Sequence, residues 1–169
     1  MSIQFNKETA IGKVLFNWWE RLEDDRASRA ILRRASTITA VSLSPPYHRL
    51  YQRLREAGWE SEAKPYHKDR LAAVVGLLAH VKHNDQRALA KSMSLRDEGG
   101  DRLCVSELRF RRLLESPDVD ALFIGLRRVL PLMKHGVNVF ALANDLVHWG
   151  DTVKKSWAYE YEWPERSKN

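Results

Sequence analysis

The chain has 169 residues, of which 44% are hydrophobic and 30% are charged, with a formal net charge of +6. This composition excludes a largely disordered chain, because such chains contain far fewer Trp, Leu and Val residues. The single Cys104 excludes an intramolecular disulfide, and the longest apolar run, 71–79, is too short to cross a bilayer. No basic and apolar leader opens the sequence, so we expect a cytoplasmic protein without a membrane segment.

The excess positive charge is localised in the first third of the chain. The segment 26–55 contains no Asp or Glu, and it carries seven arginines: Arg26, Arg29, Arg33, Arg34, Arg49, Arg53 and Arg55. Clustered positive charge is typical of proteins that bind polyanions, whereas dispersed charge contributes little beyond solubility.

The N-terminal half predicts a series of helices. Apolar residues at helical spacing predict an amphipathic helix over 11–22 and a short helix over 27–35. The β-branched segment 36–44 predicts a loop or extended connector. A Ser-Pro-Pro start signal predicts a helix over 45–58, and a further apolar stripe predicts one over 71–78.

The polar segment 94–101 contains the only Gly-Gly pair of the chain. Such a segment predicts a mobile loop and a hinge between two lobes. We expect an N-terminal helical lobe, about 1–93, and a C-terminal helical lobe, about 102–169, within one unit that covers the whole chain.

The C-terminal half continues the helical pattern. Ser116 as N-cap, followed by Pro117 at the first helical position, predicts the start of a helix that Pro131 should kink or end. Asn138 is predicted to cap a last apolar stripe, which runs to Trp157 with a weak point at Gly150. The sequence thus predicts an all-α helical bundle of about six or seven helices.

Local charge pairing separates the arginines into two groups. On a helix, an acid three or four residues away is a neighbour, so Arg111 can pair with Glu107 and Glu115. By the same rule Arg29, Arg53 and Arg112 also have a local acid. Six arginines have none: Arg33, Arg34, Arg49, Arg109, Arg127 and Arg128. They either bind acids elsewhere in the fold or remain free for phosphate oxygens, which the planar guanidinium group grips in pairs.

Aromatic residues and candidate catalytic groups are less informative. Tyr47, His48 and Tyr51 could stack on bases, but the two tyrosines share an apolar stripe and are more typical of the core. His80 and His83 could share a metal ion, although nothing nearby completes a ligand set. Because no known catalytic motif is present, we expect a protein that is not an enzyme and has no metal or cofactor.

Several segments together resemble a known family. They are "ILRRAS" after a Trp-bearing first helix, "YHRL" followed by "GWE", then "ELRFRRLL" and "LRRVLPLMKHGVNVFALANDLVHWG". In this order and spacing they resemble the CasB small subunit of the type I-E CRISPR Cascade complex. The resemblance spans nearly the whole chain, and the C-terminal combination is the most specific part.

The resemblance implies an all-helical, non-catalytic subunit. Two copies would sit along the guide RNA with other Cascade subunits, and they would help to hold the R-loop and the displaced DNA strand. The six locally unpaired arginines are also the ones that match basic positions of the family. With Arg53 and Arg112 they form the predicted nucleic-acid-binding set of eight.

Two other functions remain open from the sequence. An all-α DNA-binding regulator of helix-turn-helix type would place one helix in the major groove and show base preference. A metal-dependent hydrolase built around His80 and His83 would contain a bound metal ion.

Overall fold

The structure, a computed structural model, describes residues 3–61 and 63–166. In these ranges the chain forms ten α-helices, two 3-10 helices and no β-strand. The α-helices are α1 (Ala10–Arg21), α2 (Arg26–Arg34), α3 (Ile38–Ser42), α4 (Pro45–Glu56), α5 (His67–Leu78), α6 (Leu89–Met93), α7 (Glu107–Leu114), α8 (Val119–Val129), α9 (Val139–Val147) and α10 (Asp151–Glu160). The 3-10 helices span Trp59–Ser61 and Leu130–Leu132. The all-α helical bundle is confirmed, with more helices than the six or seven predicted.

Helix α3 lies where a loop or extended connector was predicted, and that prediction is wrong. Thr37 caps the helix by accepting a hydrogen bond from the backbone N–H of Ala40 at 3.0 Å, and Ile38 and Val41 are buried. Val41 packs against α5 where Gly76 has no side chain, since a Cβ there would lie 2.7 Å from Val41 Cγ2. Tertiary packing therefore outweighs the low helix propensity of the β-branched residues.

Helix α5 is the centre of the bundle. Every residue from Leu71 to Ala79 is buried, and the helix packs against α3, α8 and α9. This position explains why the segment is apolar on all sides rather than amphipathic. The core around α5 includes residues from both sides of the segment 94–101, and the predicted division into two lobes stays a prediction.

Helix α8 begins later than predicted. Asp118 is its N-cap, with a side chain that accepts from the backbone N–H of Ala121 at 2.8 Å. Ser116, the predicted cap, is buried and donates its hydroxyl to the carbonyl of Arg112 at 3.3 Å. The Ser116 prediction is wrong because that hydroxyl satisfies the end of α7 instead. The effect of Pro131 is confirmed, since α8 ends at Val129 and passes into a 3-10 helix.

The final apolar stripe forms two helices that separate at Gly150. Asn138 caps α9 as predicted, accepting from the backbone N–H of Ala141 at 3.0 Å. Helix α10 folds back so that Trp157 donates its indole N–H to Asp145 at 2.9 Å. Burial raises the pKa of the Asp145 carboxyl to about 6, with nearby Glu160 adding to the rise. Among the described helices, none has the length and apolar character needed to span a bilayer.

Candidate nucleic-acid interface

Two of the predicted arginines are half-buried and fixed by backbone carbonyl groups. Arg33 donates its Nε–H to the carbonyl of Ala79, the C-cap residue of α5, at 2.8 Å. Arg127 donates from Nη2 to the carbonyl of Arg33 at 2.9 Å, and its guanidinium group lies 6.0 Å from the centre of the Phe123 ring. These bonds connect α2, α5 and α8, and contact of either arginine with phosphate stays a prediction.

His80 lies beside these two arginines. Burial, and then the positive charges of Arg127 and Arg33, lower its pKa to about 4. The Nε2 atom of His80 and the Nε atom of Arg127 are buried, and neither has a hydrogen-bond partner among the described residues. The cluster is therefore cationic through its arginines, while the imidazole is neutral at physiological pH.

A first groove, of about 470 Å³, opens in front of this cluster. None of its described lining residues is acidic, and its basic ones are Arg33, His80, Lys82, His83 and Lys134. The segments 83–85 and 136–137 are held together by hydrogen bonds from Val137 N to His83 O, 2.9 Å, and from Asp85 N to Val137 O, 3.2 Å. Gly136 permits this contact with its φ of 111°, since a Cβ there would lie 2.9 Å from the His83 oxygen.

A second groove, of about 540 Å³, lies between α7 and α8. Ser106 caps α7, while Phe110 and Leu113 are buried, which leaves Arg109 and Arg112 exposed on the groove side. Arg128 of α8 is exposed on the opposite side of the groove. Three predicted arginines therefore converge here from two helices.

Two further grooves continue this surface in both directions. One, of about 520 Å³, contains Lys134 of the first groove and Arg109 of the second, together with Arg96 and Arg102. The other, of about 510 Å³, shares Lys82 and His83 with the first groove and reaches the start of α2. The arginines and lysines that line the four grooves, together with His83, form what we call the basic band: Arg26, Arg29, Arg33, Lys82, His83, Arg96, Arg102, Arg109, Arg112, Arg128 and Lys134.

The basic band also has acidic residues along part of its length. Asp97, Asp101 and Glu107 line the groove that contains Arg96 and Arg102. Glu20 and Glu23 line the groove at the start of α2. The groove between α7 and α8 has one acidic lining residue, Glu115, and the described lining of the first groove has none, so the positive charge is least compensated in these two grooves.

Only part of the predicted set belongs to the basic band. Arg33, Arg109, Arg112 and Arg128 line it, and Arg127 packs behind it through its bond to Arg33. The other three predicted arginines, Arg34, Arg49 and Arg53, are exposed but line none of the four grooves.

Arg49 lies near the opposite end of α2 from Arg33. Its charge helps to lower the pKa of Asp25, the N-cap of α2, although hydrogen bonds from Ser28 are the larger cause. Arg49 is therefore separated from the first groove by the length of α2.

The ion pairs of the described residues involve arginines outside the predicted set of eight. Across residues 3–61 and 63–166, no carboxylate lies within 4.0 Å of any of the eight predicted arginines, whereas Arg111 pairs with Glu115 at 4.0 Å as predicted. The local pairs expected for Arg29, Arg53 and Arg112 do not form, and those predictions are wrong. Asp25, the expected partner of Arg29, instead accepts from the N–H of Ser28 at the start of α2.

Sequence reasoning missed the lysines of the basic band. Lys82 follows α5 and Lys134 follows the second 3-10 helix, so both lie in connecting segments. Neither segment has a helical charge pattern, and only the hydrogen bonds between 83–85 and 136–137 bring them together. A net positive charge in short polar connectors was the only available signal.

The aromatic and catalytic candidates are explained by the fold. Tyr47 is buried, with its ring stacked against Tyr51 at 5.9 Å, and Tyr51 donates its hydroxyl to Glu60. No three His, Cys, Asp or Glu side chains of the described part are grouped so that they could hold a metal ion. Cys104 is buried, and burial and nearby Asp97 raise the pKa of its thiol, which disfavours the nucleophilic thiolate.

Comparisons with known proteins give a consistent result. The family model of CRISPR-associated protein Cse2 matches residues 28–161. The fold is similar to that of a chain in the crystal structure of E. coli Cascade bound to a PAM-containing dsDNA target, with a TM-score of 0.61 and 25% sequence identity. That alignment covers 87% of this chain and 91% of the other. A search of curated protein sequences found no match. The segment matched by the family model contains the whole basic band except Arg26.

Proposed function

The chain belongs to the family of CRISPR-associated protein Cse2, and from this premise we propose that it is the small subunit of a Cascade-type CRISPR surveillance complex in antiviral defence. In that complex it binds the guide RNA and the target or displaced single-stranded DNA through the basic band, and it thereby stabilises the R-loop. The similar chain belongs to a complex bound to a dsDNA target, which supports a nucleic-acid ligand.

The observation that carries the proposal is the continuity of the basic band. Side chains from α2, α7 and α8 and from three connectors line grooves that share residues with their neighbours. A phosphate backbone is a line of regularly spaced negative charges, so it requires such a continuous track rather than one isolated pocket. Because the arginines of the band form no ion pairs with the carboxylates of residues 3–61 and 63–166, those carboxylates leave their charge available to a ligand.

The proposed mechanism is electrostatic and independent of nucleotide sequence. Arginine and lysine side chains neutralise phosphates and release counterions, while pairing with the guide RNA supplies sequence specificity elsewhere in the complex. Helix α7 supports this mechanism because its buried Phe110 and Leu113 hold the exposed Arg109 and Arg112 in place. The subunit positions a strand and leaves chemistry to other subunits.

The proposal includes protein partners. Other Cascade subunits would contact the faces that the nucleic acid does not cover, and a second copy of the chain would extend the basic band along the R-loop. The support for both is the resemblance to the family, not a feature of the single chain.

The direct test is co-expression of the full chain, tagged for purification, with its genomic neighbours. We expect it to co-purify with a guide RNA and with the large subunits that form the helical backbone. A double variant, Arg109→Glu with Arg128→Glu, should still assemble but bind target DNA more weakly. The matched control is Arg111→Glu, an exposed arginine of the same helix that is paired with Glu115. A chain that purifies without RNA or partner subunits would contradict the proposal.

A further inference from the structure

The groove between α7 and α8 combines an apolar floor with three exposed arginines. The small or apolar residues that line it are Leu113, Pro117, Ala121, Ile124, Gly125 and Val129. Ile124 is 42% exposed in spite of its apolar side chain. Solvent-exposed apolar surface therefore lies in the same groove as the exposed side chains of Arg109, Arg112 and Arg128.

Close packing of the two helices forms this floor. Gly125 of α8 faces Leu113 of α7, and a Cβ at Gly125 would lie 2.8 Å from Leu113 Cδ2. The absence of a side chain at this point lets the helices approach and leaves a groove of about 540 Å³ above them. That volume lies within the range of about 300–1,000 Å³ that is typical of sites for small organic groups.

An apolar floor inside a cationic rim matches an unpaired nucleotide better than it matches a phosphate alone. A nucleobase has apolar faces that stack on hydrocarbon and on guanidinium planes, and its flanking phosphates are anionic. Glu115 also lines the groove, and its carboxylate would repel a phosphate but can accept from the exocyclic amino group of cytosine or adenine. A duplex keeps its bases stacked inside the helix and cannot present one to the groove.

We propose that this groove is a base-binding site for an unpaired nucleotide of a single strand, with the base on Ile124 and the neighbouring phosphates on Arg109 and Arg128. This inference rests on the proposed function and deepens it. The subunit would thereby distinguish the displaced strand from duplex DNA by its unpaired bases as well as by its charge.

The test compares two strands of equal backbone charge. One is a single strand of about 12 deoxycytidines, a length within the site sizes of single-strand-binding proteins, and the other has the same length but lacks bases in its central half. We expect the full-length protein to bind the strand with bases about tenfold more tightly, as stacking of one base would give. Fluorescence anisotropy titration measures both affinities.

Single substitutions test whether the preference for the strand with bases depends on this groove. Ile124→Asn should reduce the ratio of the two affinities to about one, because a polar side chain replaces the floor and leaves the arginines in place. Ile31→Asn is the matched control, since Ile31 is 37% exposed on α2 and should keep the full ratio. Ile124→Ala is a second variant that preserves helix propensity, and circular dichroism checks that each variant is folded.

The possible results distinguish a failure of the base-binding site from a failure of the proposed function. A wild-type ratio near one, with salt-dependent binding of both strands, overturns the base-binding site and leaves the proposed function intact. Failure to bind either strand contradicts the proposed function itself. If Ile124→Asn keeps the ratio but fails to join the complex during co-expression, the groove binds a protein subunit and the inference is wrong.

Discussion

Arg127 donates a hydrogen bond from Nη2 to the backbone carbonyl of Arg33 at 2.9 Å. The acceptor lies in the last turn of α2, where carbonyl groups have no partner within the helix. Arg33 in turn donates to the carbonyl of Ala79 at the end of α5, so each arginine satisfies the C-terminal end of another helix. A cation at that position also interacts favourably with the helix dipole.

This relationship predicts different roles for two adjacent arginines. Arg127→Ala should reduce the free energy of unfolding by about 1–3 kcal/mol, because it leaves the Arg33 carbonyl without a partner in a half-buried site. Arg128→Ala should change it by no more than about 0.5 kcal/mol, since Arg128 is exposed and forms no ion pair with residues 3–61 and 63–166. Urea denaturation measures both.

In binding of single-stranded DNA the order of the two variants should be reversed, with the larger effect in Arg128→Ala. Folded Arg128→Ala should bind single-stranded DNA more weakly, because it removes one side of the groove between α7 and α8. Equal losses of stability in the two variants would show that the Arg127 to Arg33 bond does not have the stabilising role described here.

The contrast between Arg127 and Arg128 shows what the sequence can and cannot predict. Helical spacing predicted most of the helices and correctly paired Arg111 with Glu115, because both depend on neighbours in the chain. It could not separate Arg127 from Arg128, since the partner of Arg127 is a carbonyl on another helix. It missed α3, whose stability comes from packing on α5, and Lys82 and Lys134, which a contact between two connectors brings together.

His80 predicts a loss of stability in mild acid. The folded protein holds this imidazole with a pKa of about 4, below its ordinary value of 6.5, so between these values the unfolded chain binds more protons. Stability contributed by neutral His80 is therefore complete above pH 6.5 and falls as the pH drops toward 4. Between pH 7 and pH 4 the free energy of unfolding should therefore fall less in His80→Gln than in the wild type, by on the order of 2 kcal/mol.

Denaturant titrations of the wild type and His80→Gln at several pH values would measure this difference. His135→Gln is the matched control, since it makes the same substitution at an exposed histidine. An unchanged profile in His80→Gln would show that this imidazole is not held neutral by burial and the two arginines.

Asp145 should make stability depend on pH in the opposite direction to His80. Its pKa in the folded protein is about 6, above the ordinary value of 3.8, so the folded state binds the extra proton between these values. The contribution favours the folded state at low pH and is lost as the pH rises through about 6. Asp145→Asn should therefore stabilise the protein at pH 8, by on the order of 2 kcal/mol, because the amide oxygen can still accept from Trp157.

The midpoint of thermal unfolding at pH 8 tests this prediction. Asp120→Asn, a change at an exposed acid in the first turn of α8, serves as control and should give no comparable gain. A lower midpoint for Asp145→Asn would show that the ionised carboxylate is a stabilising partner of Trp157.

Replacing Gly136 by alanine should reduce the free energy of unfolding by more than its positive φ alone would cause. Gly99→Ala should cost about 1 kcal/mol, since Gly99 has a φ of 76° but open space around it. Gly136→Ala should cost more, because the new Cβ would also lie 2.9 Å from the backbone oxygen of His83. Equal costs, measured by urea denaturation, would show that the contact between the two connectors yields easily.

The salt dependence of single-strand binding tests the central claim most directly, namely that the basic band is a continuous track for a phosphate backbone. If about six phosphates are neutralised, log affinity should fall with log salt at a slope of about −4, and Arg109→Glu with Arg128→Glu should make that slope shallower by about 1 or more. Single-stranded DNA of the same length and unrelated sequence should displace the strand about equally well. A slope near zero, or strong preference for one sequence over its competitors, would contradict the claim.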